Sequence, residues 1–271
     1  MNRIFVVPIW HFQVPVTVVI LGTITGLTYA VLGIGLSLIY RTSRVLNFAQ
    51  GDMGAFPALF VPILVINYRW NYWVTVVLAL TASLVIGGLI EFLVIRRLRT
   101  ASRLTVLVAT IGVSQLLLLA GLYLPKGHSA LTGKSYPTPF SFTITLGRLI
   151  LGPGQILILI VVPLLTIGLT MFLRRSRIGR ASRAAAENAD AASLTGIPIH
   201  RVALVMWGLA GLLAGLSAIL VGPTRPIEVG QALGPDLMLR ALGAAMLGGL
   251  LSLPLVFVGG IAIGIIEALA L

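Results

Sequence analysis

Long apolar runs that contain little or no charge restrict the fold of this chain more than any other feature. A helix needs about 20 such residues to cross the hydrocarbon core of a bilayer, and each run meets that length. Within a bilayer every backbone polar group must be satisfied by the chain itself, so that only helices and closed barrels span it. A barrel would show short segments of alternating polarity, and none occur. The uninterrupted runs are 14–39, 74–95, 104–124, 149–173 and 202–221.

Two further apolar runs are interrupted. Residues 53–66 contain Pro57 and Pro62, which predict a kinked or broken helix because proline removes a backbone donor and clashes with the preceding turn. Residues 241–266 contain a Gly-Gly pair and a proline, so that one tilted helix and two short segments both fit. The sequence predicts an all-α, polytopic helical membrane protein, with about seven to eight transmembrane or re-entrant helices in a single domain, residues 1–271. Because the chain is still apolar at its last residue, we expect the C-terminus to be truncated.

Charge predicts the orientation in the membrane. The net charge is +12, from 19 Lys and Arg against 7 Asp and Glu, and the arginines border the apolar runs. Segment 96–103 carries four arginines and segment 174–201 carries six. Since Lys and Arg are enriched in cytoplasmic loops, both segments are predicted to face the cytoplasm, with loop 125–148 and the N-terminus outside. Arginines in these positions anchor the protein to lipid, so no nucleic acid partner is expected.

The patterns needed for catalysis or metal binding do not occur. The chain has no cysteine, which excludes disulfides and Cys-ligated metals. His11, His128 and His200 are scattered without the spacing of metal ligands, so no metal site is predicted. Residues 133–135 read Gly-Lys-Ser, but His128 stands where a phosphate-binding loop needs its first glycine. We therefore predict that this chain has no ATPase site, holds no cofactor and is not an enzyme.

The basic, alanine-rich segment 174–201 lies between two apolar runs. Residues from Arg183 to Thr195 are strong helix formers. Gly196, followed by Ile197 and Pro198, provides a helix stop. The segment fits a membrane-surface helix whose arginines bind lipid headgroups, and it fits equally a short helix that a soluble partner approaches closely.

A polar stretch, 47–52, separates the first two apolar runs. Polar groups at membrane depth are costly and usually face a cavity or a partner, which favours a helix break along a translocation pathway. An ordinary cytoplasmic turn, with Asp52 as an exposed N-cap, also fits. A third possibility is an ion pair between Asp52 and Arg41 or Arg44. The candidate pathway residues are Asn47, Phe48, Gln50, Gly51 and Asp52.

Two carboxylates lie inside apolar runs. Glu91 is close to the end of its run and is followed by Arg96. Local pairing or snorkelling of Glu91 is therefore favoured over a proton relay. Glu267 fits either role.

Small residues recur at four-residue spacing in two of the runs. This spacing allows helix backbones to approach closely, so it predicts packing and no chemistry. The pairs are Gly22 with Gly26, and Gly211 with Gly215.

The basic segment resembles the EAA loop of ABC importer permeases. Asp190, Ala191, Ala192 and Gly196 match that motif, with Asp190 in place of the usual Glu. In that family the loop is a coupling helix that docks into a groove on a cytoplasmic ATPase. The resemblance implies that 174–201 is a cytoplasmic coupling loop.

A second resemblance is to branched-chain amino acid permeases, and it runs through nearly the whole chain. The sequence Asn-Phe-Ala-Gln-Gly-Asp at 47–52 is similar to the family's Asn-Phe-Ala-His-Gly-Glu/Asp, with Gln50 in place of the frequent His. Further similar stretches are 28–40, 104–112 and 247–260.

These resemblances imply one transmembrane subunit of an ATP-driven importer in a bacterial inner membrane, translocating Leu, Ile and Val or related small polar solutes. They imply four kinds of contact: a second permease subunit, two cytoplasmic ATP-binding subunits, an external substrate-binding protein and the lipid membrane. ATP would be bound by the partner subunits. The alternative is a stand-alone secondary transporter or channel that uses Asp52 or Glu91 as an ion-coupled carboxylate.

Overall fold

The computed structural model describes residues 6–9, 12–123, 136–140, 142–146, 149–224 and 235–270. The helices are α1 (Val16–Ser43), α2 (Gln50–Ala58), α3 (Phe60–Pro62), α4 (Tyr72–Leu93), α5 (Arg103–Tyr123), α6 (Pro153–Arg175), α7 (Arg177–Glu187), α8 (Ala189–Leu194), α9 (Ile199–Val221), α10 (Pro235–Leu247) and α11 (Leu253–Ala270). The strands β1 (Val6–Ile9) and β2 (Phe12–Pro15) form one antiparallel hairpin, and β3 (Ile144–Leu146) and β4 (Leu149–Leu151) form another.

Seven helical segments within these described ranges are long and apolar enough to cross a membrane. The predicted all-α, polytopic class is therefore confirmed. The segments are Val16–Ser43, Gln50–Asn67, Tyr72–Leu98, Arg103–Tyr123, Pro153–Arg175, Ile199–Thr224 and Leu253–Ala270.

Helices α1 and α11 are antiparallel neighbours that meet through glycines. A Cβ added at Gly22 would lie 2.8 Å from the Gly264 carbonyl oxygen, and one added at Gly26 would lie 2.6 Å from the Gly260 carbonyl oxygen. Neither position has room for a side chain. The predicted role of this glycine spacing in close packing is confirmed here.

Helices α4 and α9 pack in the same way. A Cβ at Gly211 would lie 3.2 Å from the Gly87 Cα, and one at Gly215 would lie 2.7 Å from the Ser83 Cβ. Because this register is antiparallel, the end of α4 lies beside the start of α9. The indole Nε1 of Trp207, near the start of α9, donates to the Ser43 hydroxyl at the end of α1, 3.0 Å away.

The end of α1, the end of α4, the start of α9 and both arginine-rich segments lie at one end of the bundle. We call it the basic end.

The opposite end carries Tyr136, which is buried and donates its hydroxyl to the Ala58 carbonyl oxygen at 3.0 Å. Burial raises the pKa of Tyr136 well above its usual value, so that this hydroxyl stays protonated and keeps donating. Most of the predicted outer loop, including His128 and residues 133–135, lies outside the described residues, as does His11.

The proline-containing run forms a spanning segment made of three pieces. Helix α2 ends after Pro57, α3 ends at Pro62, and a single π-helical turn, Ile63–Asn67, follows. The predicted break is confirmed, and its cause is the pair of missing backbone donors.

Two helices, α10 and α11, occupy the last apolar run, so the alternative of one tilted helix is wrong. Helix α10 ends because Gly249 and Leu250 both adopt left-handed backbone angles, with φ of 62° and 60°. The Leu250 N–H donates to the Ala245 carbonyl at 2.8 Å and the Gly249 N–H to the Met246 carbonyl at 2.9 Å, which is a Schellman stop.

Candidate translocation and coupling site

The chain leaves α1 through a left-handed residue and enters α2 through an asparagine turn. Arg44 has φ of 53°, and its N–H donates to the Tyr40 carbonyl at 3.0 Å, which ends the helix. The Asn47 side-chain oxygen then accepts from the Ala49 N–H at 3.0 Å, and the Asn47 carbonyl accepts from the Gln50 N–H at 3.3 Å. Asparagine favours such local turns, so the residue type explains the sharp connection.

The amides of Asn47 and Gln50 are fully buried at this junction. Asn47 Nδ2 donates to Gln50 Oε1 at 3.4 Å and lies 3.1 Å from the Met53 sulfur. Gln50 Nε2 donates to the Ala210 carbonyl of α9 at 3.0 Å. A Cβ at Gly35 of α1 would lie 3.2 Å from the Gln50 Cδ, so the absence of that side chain makes room for the amide. The predicted polar segment is therefore packed between α1 and α9.

The same segment faces α5 on its other side. The Ser114 hydroxyl donates to Asp52 Oδ2, and the Phe48 N–H donates to the Thr110 hydroxyl at 3.2 Å. Gly51 is buried between these two contacts. The five candidate pathway residues are thus brought together where α1, α2, α5 and α9 meet.

This geometry decides between the alternatives for Asp52. The carboxylate is the third residue of α2 and not its N-cap, and it is partly buried, so the exposed-cap interpretation is wrong. Arg41 donates instead to the Leu251 carbonyl, and Arg44 donates to the Ala186 carbonyl. The suggested ion pair of Asp52 with either arginine is therefore wrong as well.

We expect Asp52→Asn and Asp52→Leu to differ sharply. The asparagine retains an oxygen that accepts from Ser114, so the thermal unfolding midpoint of the purified protein should stay near that of the wild type. The leucine leaves the Ser114 hydroxyl without that acceptor, which should cost about 1–3 kcal/mol of stability. Equal midpoints for the two variants would show that the hydrogen bond contributes nothing.

The alanine-rich segment forms two helices, so the single helix expected from 183 to 195 is wrong. Asn188 is extended, with φ of −151° and ψ of 106°, and its side-chain oxygen caps α8 by accepting from the Ala191 N–H at 3.0 Å. Asparagine is a good N-cap and a poor interior residue, which explains the break.

Helix α8 ends as predicted at Gly196. That residue has φ of 83°; its N–H donates to the Ser193 carbonyl at 3.0 Å, and the Ile197 N–H donates to the Ala192 carbonyl at 3.2 Å. This Schellman pattern suits glycine. Within the motif Ala192 is buried, whereas Asp190, Ala191 and Gly196 are exposed. Leu194 is 88% exposed, the highest exposed fraction among the large hydrophobic side chains of the described residues, so the tip of α8 is apolar.

Hydrogen bonds from two arginine side chains connect helix α7 to the transmembrane helices. Arg44, the residue that follows α1, donates to the Ala186 carbonyl in the last turn of α7, and Arg183 of α7 donates to the Leu173 carbonyl of α6 at 2.8 Å. Ser182 on the inner face is fully buried. Arg44 and Arg183 thus bind protein carbonyls, which the sequence did not indicate.

Glu91 pairs locally, as the sequence favoured. It is 1% exposed, and Arg99 Nη2 lies 3.4 Å from Glu91 Oε1. The pair is at the basic end, where an arginine can reach the headgroups.

A second ion pair was missed by the sequence. Arg240 of α10 and Glu267 of α11 lie 2.7 Å apart, and the Tyr29 hydroxyl of α1 donates to Glu267 at 2.7 Å. The sequence did contain a signal for this pair, since each of two neighbouring apolar helices carries one charged residue.

Seven segments that are long and apolar enough to cross a membrane define a multi-pass membrane protein. The sequence comparisons identify the group. A family model described as the branched-chain amino acid transport system permease component matches residues 18–271. The chain therefore belongs to this family, as its motifs predicted, and is the transmembrane subunit of an ATP-driven ABC importer in the inner membrane.

Individual relatives agree with the family match. The chain is 30% identical over 256 residues to the high-affinity branched-chain amino acid transport system permease protein BraD of Pseudomonas aeruginosa, covering 91% of this chain and 83% of BraD. It is 31% identical over 265 residues to the corresponding protein LivH of Escherichia coli, covering 92% and 83%. The ribose import permease RbsC of E. coli is 25% identical over 220 residues, covering 81% and 65%. No solved structure matches the chain significantly.

Proposed function

We propose that this chain imports branched-chain aliphatic amino acids as one of two permease subunits. Two cytoplasmic ATPases would supply the energy, and an external binding protein would deliver the substrate. The observation that carries the proposal is the similarity over nine-tenths of the chain to two permeases named for these substrates, at 30% and 31% identity. The permease would carry out no covalent chemistry, since ATP hydrolysis belongs to its partners.

The structure supports different roles, in coupling and in translocation, for two parts of the subunit. Asp190, Ala191, Ala192 and Gly196 would form the part that docks on the ATPase, because α8 is short, rigidly capped and exposed at the basic end. The junction 47–52 would form part of the translocation pathway, because it places buried amides at a break between helices.

Reconstituted transport tests the proposal. The permease, assembled with its ATPases in liposomes and supplied with the binding protein, should accumulate labelled L-leucine only when ATP is present on the cytoplasmic side. Accumulation driven by an ion gradient without ATP would support a stand-alone transporter, and uptake of ribose without leucine would overturn the substrate.

Leu194 offers a sharper test of docking than a change within the buried part of the motif. We expect Leu194→Glu to reduce co-purification of the ATPases by about tenfold or more, because burial of a leucine stabilises a contact by about 1.5–3 kcal/mol and a charge in its place opposes it. Leu194→Met, which keeps the apolar surface, is the matched control. Unchanged co-purification with Leu194→Glu would contradict docking through α8.

A further inference from the structure

The ion pair between Arg240 and Glu267, with Tyr29, is not explained by coupling or by the junction at 47–52. Arg240 Nη2 lies 2.7 Å from Glu267 Oε1, and the Tyr29 hydroxyl donates to Glu267 Oε2 at 2.7 Å. The Arg240 guanidinium carbon also lies 5.9 Å from the centre of the Tyr29 ring. Three helices, α1, α10 and α11, therefore contribute one polar group each to a single cluster.

The cluster lies within the membrane-crossing part of the bundle. A Cβ at Gly33, in the middle of α1, would lie 2.9 Å from the Ala241 carbonyl oxygen, and Ala241 is the neighbour of Arg240. Glu267 belongs to the spanning segment Leu253–Ala270. The pair therefore lies well away from the basic end, where arginines reach headgroups.

The two charges are partly exposed at the surface of the subunit. The side chain of Arg240 is 39% exposed and that of Glu267 is 28% exposed, whereas Tyr29 is buried. Charged groups at this depth do not face lipid, because the hydrocarbon cannot solvate them; they face water-filled cavities or other protein. The Glu91–Arg99 pair differs, since Glu91 is buried and the pair lies at the basic end.

The chemistry of the cluster suits a zwitterion. Arg240 uses Nη2 for Glu267, and a guanidinium has five N–H donors in a planar fork that matches a carboxylate. Each oxygen of Glu267 can accept a further hydrogen bond. An amino acid carries its ammonium and its carboxylate on the same carbon, so it can lie antiparallel to the pair, carboxylate on arginine and ammonium on glutamate, without breaking it.

Among the described residues, the neighbours one turn from the pair on α10 and α11 are apolar. One turn along each helix, a Cβ at Gly243 would lie 3.1 Å from Ile263 Cδ1, and the neighbouring Leu239 and Ile266 are 57% and 65% exposed. Such a surface accommodates an aliphatic side chain beside the charged pair.

From these observations we propose that Arg240 and Glu267, supported by Tyr29, form a binding site for the zwitterionic backbone of an aliphatic amino acid during its passage. This inference rests on the proposed function. Glu267 would hold the α-ammonium and Arg240 the α-carboxylate, and the site would be separate from α7 and α8, which lie at the basic end.

Photolabelling tests the site directly. The purified permease–ATPase complex, without the binding protein, is irradiated with a diazirine analogue of L-leucine, and labelled peptides are identified by mass spectrometry. We expect label on α10 or α11, displaced by excess L-leucine. Leucinamide, which lacks the carboxylate, and 4-methylpentanoate, which lacks the ammonium, should displace it at least about tenfold less well, since each loses a charge-assisted hydrogen bond.

Variants complete the experiment. Glu267→Gln keeps an acceptor for Tyr29, and Arg240→Gln removes the charge; each should lower labelling by about tenfold or more. If Arg240→Gln does not assemble, Arg240→Lys is used; it keeps the charge but loses the planar fork, and it should lower labelling by a smaller factor. Glu91→Gln, which removes the carboxylate of the other described ion pair, should leave labelling unchanged.

The outcomes separate the two proposals. The proposed site is wrong, and the transport proposal stands, in either of two cases. In the first, the wild-type complex imports leucine but is not labelled on α10 or α11. In the second, both variants are labelled to the same extent as the wild type. If 4-methylpentanoate competes as well as leucine, the site does not recognise a zwitterion. If the wild-type system imports no leucine, the proposed function itself fails.

Discussion

Gly26→Val should prevent the permease from folding to a stable bundle. A Cβ at Gly26 would lie 2.6 Å from the Gly260 carbonyl oxygen and 2.7 Å from the Ile261 Cα. Both neighbours are backbone atoms of α11, so relief requires that two whole helices move apart. Overpacking costs about 1–3 kcal/mol where side chains can adjust, and we expect more here. The measurement is the yield of monodisperse protein in detergent and its thermal unfolding midpoint.

Gly168→Val is the matched control for that experiment. Gly168 also lies inside a spanning helix, α6, but nothing lies within 4 Å of a Cβ added there. This variant should purify and unfold like the wild type. Similar behaviour of the two variants would show that α1 and α11 do not pack as closely as the structure describes.

Arg44→Ala should separate ATP hydrolysis from transport. The Arg44 guanidinium at the end of α1 donates to the Ala186 carbonyl, and no side chain within α1 itself makes a described hydrogen bond to α7. Without it, a movement of α7 and α8 is transmitted poorly to α1. We expect leucine uptake to fall by about tenfold or more, as for loss of a charged hydrogen bond, while the ATPases still bind and hydrolyse ATP.

The control for Arg44 is another arginine at the basic end. Arg97 is exposed, and Arg97→Ala should leave the ratio of uptake to hydrolysis unchanged. If Arg44→Ala lowers uptake and hydrolysis in equal proportion, Arg44 serves stability or assembly and not transmission.

Local patterns in the sequence predicted much of this fold. Uninterrupted apolar runs predicted the spanning helices, because the bilayer imposes both length and composition on them. The glycine spacings in α1 and α9 predicted close packing correctly, since a missing side chain acts through local geometry. Gly196 predicted its helix end because few other residues adopt a left-handed conformation without strain.

One feature that the sequence did not predict is local: Asn188 could be an interior residue or a cap, and the high helix propensity of the surrounding alanines hid the break. The other features depend on partners far apart in the chain. Arg44 and Ala186 are 142 residues apart in the sequence, so their contact has no local signal. Tyr29 and Glu267 meet only because α1 and α11 are antiparallel, and a single sequence does not provide that register. The coupling role of α8 and the pathway role of 47–52 stay predictions until the transport experiments are done.

The anchoring of Arg41 determines what kind of displacement the subunit allows. Arg41 donates to the Leu251 carbonyl in the turn that joins α10 to α11, and glycine contacts hold α1 against α11 along its length. Helices α1, α10 and α11 are therefore held together at the turn and along the shared face, and we expect them to move as one unit. If docking of an ATPase displaces α7, a displacement passed on through Arg44 would move the Arg240–Glu267 pair without changing its internal geometry.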